Sequence, residues 1–203
     1  MARRSSRICI LLVAAALVFC PGTGLAASPT SQVKGTIDRV ISILKQPEHS
    51  SKAGKEKRRE ALRGEIRPVF DFDEMAKRSL GIHWRKRTPE EKEQFVRLFE
   101  ELLENSYLGK IESYKGEEIR YVKETVDSPY AEVHTLVVTG KGQEIPIDYR
   151  MLLSGDRWRI YDVVIEGISL VNNYRSQFGS ILQKSPYEDL VKKLRATIKE
   201  QPS

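Results

Sequence analysis

The sequence predicts an α+β domain in which an antiparallel sheet of four strands is covered on one face by helices. Apolar residues recur at three- and four-residue spacing in the early part of the chain and again near its end. Between about residues 117 and 165 they alternate instead, as in strands that are buried on one side. The turns between these strands are short, which forces neighbouring strands to run antiparallel. Helices, then strands, then helices are typical of a helical layer packed on a single sheet.

The N-terminal 27 residues are predicted to be a signal peptide. Arginines at positions 3, 4 and 7 precede an apolar run from Ile8 to Cys20, and small residues follow it. This order is typical of secretory signals, with cleavage expected after Ala26 or Ala27 and a retained membrane anchor as the alternative. The remaining residues, 28–203, are expected to form one domain, because 203 residues with 40% hydrophobic content suffice for one core and hardly for two.

Removal of that segment restricts the chemistry of the mature chain. Both cysteines, Cys9 and Cys20, would be lost, so neither a disulfide nor a thiolate metal site is expected. Lipidation at Cys20 is disfavoured because the bulky Phe19 precedes it. The formal charge falls from +6 to +3 when three arginines are removed, so nucleic acid is not an expected partner.

The first predicted helix runs from Val33 to Leu44, and Pro47 ends it before a polar loop from His49 to Gly54. The segment from Lys52 to Arg63 is dense in positive charge and leads into a second helix. We interpret this segment as a solvated helix face. The alternative is a docking surface for anionic lipid headgroups or an acidic partner.

Two further helices are predicted from their caps. Asp71 is expected to cap a helix that Gly81 ends, with Glu74 in the third helical position. The sequence Thr88-Pro89-Glu90-Glu91 repeats this pattern at the start of a long helix to about Tyr114.

Four strands are expected where the apolar period changes. Along the third, Ile145, Ile147, Tyr149, Met151 and Leu153 would share one face, opposite Glu144, Pro146, Asp148 and Arg150. The predicted strands are Glu117–Val126, Ala131–Thr139, Gln143–Leu153 and Arg157–Ile165.

The central stretch of the chain is Arg157 to Phe178. It is expected to begin as a strand, turn at Glu166-Gly167 and continue as an amphipathic helix. A strand and a helix that meet at one glycine form an apolar wedge, which can be either filled core or a cavity. A last helix is predicted after Ser185, with Leu190, Leu194 and Ile198 on its apolar face.

No catalytic or metal-binding set is predicted. The histidines at 49, 83 and 134 form no metal-ligand spacing, and no nucleophile elbow, phosphate loop or dinucleotide fingerprint occurs. Ser169 is interpreted as a helix-start residue. Asp162 lies among apolar strand residues and needs a partner if buried, for which Arg175 or Tyr174 could serve in a structural clasp. We therefore do not expect an enzyme.

Several ordered motifs resemble the MlaC family, also called toluene-tolerance auxiliary proteins. The similarity extends from about Val33 to Lys199. The motifs are Trp158-x-x-Tyr161-Asp162-Val163-x-x-Glu166-Gly167-Ile168-Ser169-Leu170-Val171, then Tyr174-Arg175-x-x-Phe178, and earlier Phe70-Asp71-Phe72-Asp73-x-Met75-Ala76, Leu80-Gly81-x-x-Trp84 and Thr88-x-Glu90-x-x-x-x-Phe95-x-x-x-Phe99.

This resemblance implies a monomeric periplasmic phospholipid carrier without a cofactor, with an apolar pocket between sheet and helices. Its implied partners are phospholipid, an inner-membrane ABC lipid transporter complex and an outer-membrane lipoprotein–porin complex. The implied role is to shuttle lipid between the two membranes and so maintain outer-membrane lipid asymmetry.

The candidate lining consists of apolar residues from the helices, the third strand and the wedge, each of which could equally be ordinary core. They are Phe72, Met75, Leu80, Trp84, Phe99, Leu103, Tyr107, Ile147, Tyr149, Met151, Ile160, Val163, Ile168, Val171 and Tyr174.

Three alternatives remain open. A hopanoid-associated carrier of the same family is one, and a periplasmic interaction module with a filled core is another. The third is a small hydrolase that uses Asp162 or Ser169.

Overall fold

The structure, a computed structural model, describes residues 27–46 and 52–200. The predicted signal peptide up to residue 26, Pro47 and His49 lie outside these ranges. Within them, no helix combines the length and the hydropathy needed to cross a bilayer.

Helices precede and follow one sheet, as predicted. Short 3₁₀ turns at Arg67–Val69 and Gly81–Lys86 join the early helices. The six helices of the described residues are α1 (Pro29–Leu44), α2 (Lys52–Ile66), α3 (Phe72–Leu80), α4 (Pro89–Glu112), α5 (Leu170–Leu182) and α6 (Tyr187–Glu200).

The sheet is antiparallel throughout, but it contains five strands, not the predicted four. The additional strand has only two residues, too few to show an alternating pattern. Boundaries of the other strands agree with prediction to within one residue. In chain order and in sheet order, the strands are β1 (Glu118–Asp127), β2 (Tyr130–Val138), β3 (Glu144–Ser154), β4 (Arg157–Ile165) and β5 (Ile168–Ser169).

Two predicted boundaries near the N-terminus are wrong. Helix α1 begins at Pro29 instead of Val33, because Ser28 caps it and proline is suited to the first helical position. Helix α2 begins at Lys52, so the end of the predicted loop from His49 to Gly54 is helical.

The predicted caps of α3 and α4 are confirmed. The Asp71 carboxylate accepts a hydrogen bond from the Glu74 amide at 3.0 Å, and Gly81 ends the helix with a positive φ of 56°. Thr88 and Glu91 form a reciprocal capping box at the start of α4. The Asp71 amide also donates to the Ile160 carbonyl at 2.8 Å, which fixes the start of α3 against β4.

The buried apolar residues form two clusters instead of one continuous core. The helix cluster joins α3, α4, α5 and α6, and its buried members are Met75, Ala76, Leu80, Phe95, Phe99, Leu102, Leu103, Val171, Phe178, Tyr187, Leu190, Leu194 and Ile198. The sheet cluster lies on one face of the sheet and beneath α1, and its buried members are Val33, Val69, Ala131, Val133, Met151, Trp158, Ile160, Val163 and Leu170.

The basic segment attaches α2 to α4. Arg58 and Arg59 both donate to the Glu112 carboxylate, whose side chain is only 10% exposed, at 2.7–3.1 Å. Arg63 forms an ion pair with Glu104, which precedes Glu112 on α4. The interpretation of Lys52–Arg63 as a solvated face is therefore wrong for these arginines. These ion pairs could not be predicted from sequence spacing, because the acidic partners lie about forty to fifty residues later in the chain.

Glu112→Gln should destabilise the fold by about 2 kcal/mol at neutral pH, because two arginines lose their charged acceptor. Burial of Glu112 opposes its ionisation, but hydrogen bonds from Arg59 and Arg58 outweigh burial and lower its pKa below the ordinary 4.5. The carboxylate therefore stabilises the fold above that ordinary pKa, and its contribution is lost as pH falls through the depressed folded pKa.

Urea unfolding of both forms between neutral and acidic pH measures this difference. The gap between wild type and Glu112→Gln should shrink at the acidic end, whereas Glu101→Gln, an exposed position on the same helix, should leave stability unchanged. A gap that is constant with pH would contradict the assignment.

Candidate functional site

The wedge between β4 and α5 spans the boundary between the two clusters. The turn predicted at Glu166-Gly167 is present, and both residues have positive φ, at 50° and 81°. Immediately after it, Leu170 packs in the sheet cluster and Val171 in the helix cluster. The two layers are thus joined at this strand–helix connection.

The boundary between the layers is lined by large side chains that keep accessible surface. Phe70 and Tyr107 are partly buried, and each packs against both clusters. Neither cluster reaches the other through a continuous set of fully buried residues. The helix cluster and the sheet cluster are therefore separate packing units that Phe70 and Tyr107 bridge.

The apolar face of the sheet is covered at one end and open at the other. At the covered end, Met151 is 0% and Ile160 3% exposed, and the Phe70 backbone pairs beside Ile160 in a parallel bridge. At the other end, Ile147 and Ile165 of one cross-strand row are only partly buried, and the next residue of the row, Ile168, is 62% exposed. The apolar face is therefore accessible at its β4–β5 end.

Tyr149 lies in the middle of that face, opposite Val133 and Val163. Burial raises the pKa of its phenol well above the ordinary value, so the side chain is deep in the protein. It nevertheless keeps accessible surface. Depth combined with residual accessibility is what a side chain that lines an internal cavity is expected to show.

Two further tyrosines lie near this space. Burial raises the pKa of Tyr121 on β1 to about 12, and its hydroxyl has no hydrogen-bond partner among the described residues. Burial, with the neighbouring Tyr174 as a lesser cause, raises the pKa of Tyr107 on α4. All three phenols are neutral at physiological pH, so they contribute polarity without charge.

The fifteen residues predicted to line a pocket do not come together in one place. Ile168 belongs to neither cluster. Tyr107, Ile147, Tyr149, Met151, Ile160 and Val163 lie in or against the sheet cluster. Phe72, Met75, Leu80, Trp84, Phe99, Leu103, Val171 and Tyr174 lie in or against the helix cluster, as does Tyr107 from its other side.

The predicted lining omits several residues of the sheet cluster, among them Phe70, Tyr121 and Ile165. Tyr121 could have been found from the alternation of β1, and Ile165 from that of β4. Phe70 precedes a helix cap, and no local pattern indicates that it reaches the sheet.

Asp162 is a structural clasp, as predicted, but its predicted partners are wrong. It is 3% exposed and accepts hydrogen bonds from the Ser169 hydroxyl at 2.6 Å, the Val171 amide at 3.0 Å and Arg150 at 3.3 Å. A bulge at Tyr161 shifts the β3–β4 register, so that Asp162 pairs with Arg150. These contacts were not visible in sequence spacing.

Ser169 is the N-cap of α5, in agreement with its interpretation as a helix-start residue. Its hydroxyl oxygen accepts from the Asn172 amide at 3.0 Å while its proton is donated to Asp162. Asp162 and Ser169 therefore hold each other and the helix start, and no histidine takes part in these contacts. This arrangement is structural and does not activate a nucleophile.

Three potential metal ligands come together on the polar face of the sheet, although the sequence predicted no such set. Glu132 and His134 on β2 and Asp148 on β3 place ligand atoms within 4.8 Å of one another. His134 Nδ1 lies 3.0 Å from Asp148, and Glu132 accepts from Arg150 at 3.2 Å. These pairs account for the three side chains without a metal. The cross-strand register brings them together, and sequence spacing does not reveal that register.

Comparison with known proteins agrees with this architecture. Among solved structures, the chain is similar to that of a phospholipid-binding protein from Ralstonia solanacearum in complex with a phospholipid. The TM-score is 0.77 and the identity 26%, over 86% of this chain and 99% of that one.

Two curated relatives are similar over most of their length. The toluene tolerance protein ttg2D of Pseudomonas putida is 26% identical over 80% of this chain and 77% of its own. The intermembrane phospholipid transport system binding protein MlaC of Haemophilus influenzae is 21% identical over 83% and 81%. The family model described as MlaC protein matches residues 34–196. The chain therefore belongs to the MlaC family.

Proposed function

We propose that this protein is a periplasmic carrier that holds phospholipid acyl chains between the sheet cluster and the helix cluster. The observation that carries the proposal is Tyr149, which is deep in the protein and yet accessible, on an apolar sheet face that opens toward Ile168. Acyl chains need apolar lining more than hydrogen bonds, and this face supplies it.

The energetics of lipid transfer require such a cavity. Exposing an acyl chain of about sixteen carbons to water costs about 12 kcal/mol at ~0.8 kcal/mol per methylene. Unaided passage through an aqueous compartment is therefore negligible. A carrier must replace the lost burial and must still release its cargo, which favours a preformed space that is open at one end.

The relatives support the same reading. One is named as the binding protein of an intermembrane phospholipid transport system, and another was solved with a phospholipid. By analogy, we place this chain between an inner-membrane ABC transporter complex and an outer-membrane lipoprotein–porin complex. The predicted signal peptide fits export to the periplasm.

We further propose that transport involves no catalytic step. The carboxylate of Asp162 and the hydroxyl of Ser169 are both engaged at the start of α5. Binding and release by partner complexes then suffice for function.

Ile147→Glu should lower phospholipid occupancy about tenfold or more, because an unpaired carboxylate against acyl chains costs several kcal/mol. The measurement is native mass spectrometry of protein purified gently from cells. Leu136→Glu is the matched control. Leu136 is similarly half-buried, on the neighbouring strand, but faces the opposite side of the sheet.

Thermal unfolding should show that both variants remain folded, and Leu136→Glu should retain its lipid. Equal occupancy in the two variants would place the cargo elsewhere. Wild-type protein that carries no lipid and takes up none from phospholipid vesicles would refute the carrier function itself.

Asp162→Asn should destabilise the fold by about 2 kcal/mol, because an amide offers only one acceptor oxygen to three donors and removes the charge opposite Arg150. Urea denaturation measures the change, and Asp156→Asn in an exposed turn should have no effect. Wild-type protein incubated with phospholipid should release no fatty acid. If wild type releases fatty acid and Asp162→Asn abolishes that release, the protein would instead be a hydrolase.

A further inference from the structure

A cavity of about 220 Å³ lies on the side of the sheet opposite Tyr149, beside the start of α5. Arg150 and Asp162 form its sheet wall, on the face opposite the paired Tyr149 and Val163. Of its lining residues, Val171 alone is a buried member of either cluster, so its polar wall is distinct from the apolar sheet face proposed for acyl chains. We call it the arginine pocket, because Arg78, Arg150 and Arg175 all line it.

Two of these guanidinium groups are fixed in the same way. Arg78 donates from Nε to Glu74 at 2.8 Å and lies 4.2 Å from the centre of the Tyr161 ring. Arg150 donates from Nε to Glu132 at 3.2 Å. Each is thus held through Nε. One terminal nitrogen of Arg150 also donates to Asp162 at 3.3 Å, and Arg78 also forms a hydrogen bond with Tyr130. A guanidinium carries five N–H donors, so each keeps further donors for another acceptor.

Arg175 is exposed and contacts backbone instead of an acidic side chain. A Cβ atom at Gly81 would lie only 3.1 Å from its Nε, so the guanidinium packs directly on that glycine. Among the residues that the structure describes, no carboxylate lies within 4.0 Å of Arg175. The predicted pairing of Arg175 with Asp162 does not form, and the guanidinium keeps its donors available.

The charges around the pocket are not balanced. Asp162 is already saturated by Ser169, Val171 and Arg150, and Glu74 is shared between Arg78 and Lys77. The three carboxylates of Asp162, Glu74 and Glu132 stand against the three guanidinium groups and Lys77, which leaves one positive charge in excess. Arg175 is the arginine of this group without an acidic partner among the described residues. Planar forks of this kind match the oxygen spacing of phosphate.

We propose that the arginine pocket binds a phosphate group, at a site separate from the acyl-chain space. The phosphate could belong to free inorganic phosphate or to the exposed phosphomonoester of an anionic lipid at a membrane surface. Both offer the same oxygens to the three guanidinium groups. The assignment does not depend on the carrier function.

Isothermal titration with inorganic phosphate tests the site directly. Arg175→Ala should bind about tenfold more weakly than wild type, as expected when charge-assisted hydrogen bonds are lost. This variant breaks no ion pair of the described residues, so it should stay folded. Arg97→Ala, an exposed arginine on α4, removes the same charge elsewhere and should bind as wild type does.

Vesicle flotation distinguishes the two sources. It compares phosphatidylcholine vesicles with and without phosphatidic acid, for wild type and Arg175→Ala. Phosphate binding that depends on Arg175, with equal flotation of both proteins, assigns the pocket to free phosphate. Loss of both phosphate binding and flotation with phosphatidic acid vesicles in Arg175→Ala assigns the pocket to the lipid headgroup.

Two results would overturn the proposal: no saturable phosphate heat for wild type, or equal phosphate affinity for wild type and Arg175→Ala. Copurified phospholipid should be unchanged in Arg175→Ala, because the sheet face around Tyr149 is unaltered. The phosphate site and the carrier function can therefore fail independently.

Discussion

The buried carboxylate of Asp162 is the interaction on which the layered arrangement depends. It ties the β4 strand to the first turn of α5 through the Ser169 hydroxyl and the Val171 amide. Because α5 is held at its start, Leu170 and Val171 can face different clusters. A buried charge that is fully hydrogen-bonded is costly to disturb, so this connection sets the separation of the two layers.

The two sides of the sheet also differ in chemistry, because side chains alternate between its faces. The inner side presents aliphatic residues and neutral tyrosines, with accessible surface deep in the protein at Tyr149. The outer side presents ion pairs that centre on Arg150, which contacts both Glu132 and Asp162. The two proposed ligands, an apolar cargo and a phosphate group, would therefore occupy opposite faces without competing for the same groups.

Much of the fold could be predicted from the sequence, because its signals are local. Alternation gave β4 with its correct bounds, and cap residues such as Asp71 and Thr88 marked the helix starts. Contacts that depend on register or on distant segments could not be predicted. The bulge at Tyr161 changed the partners of Asp162, and Glu112 neutralises arginines some fifty residues earlier.

Which apolar residues line the space, and which fill the core, is likewise a tertiary property. Photocrosslinking measures it most directly, with a phospholipid that carries a diazirine in its acyl chain and peptide mass spectrometry to map the products. If acyl chains lie between the two clusters, crosslinks are expected on the inner face, at Tyr149, Ile147 and Tyr107. Crosslinks confined to outer-face positions such as Leu136 or Leu152, or none above a competitor control, would contradict it.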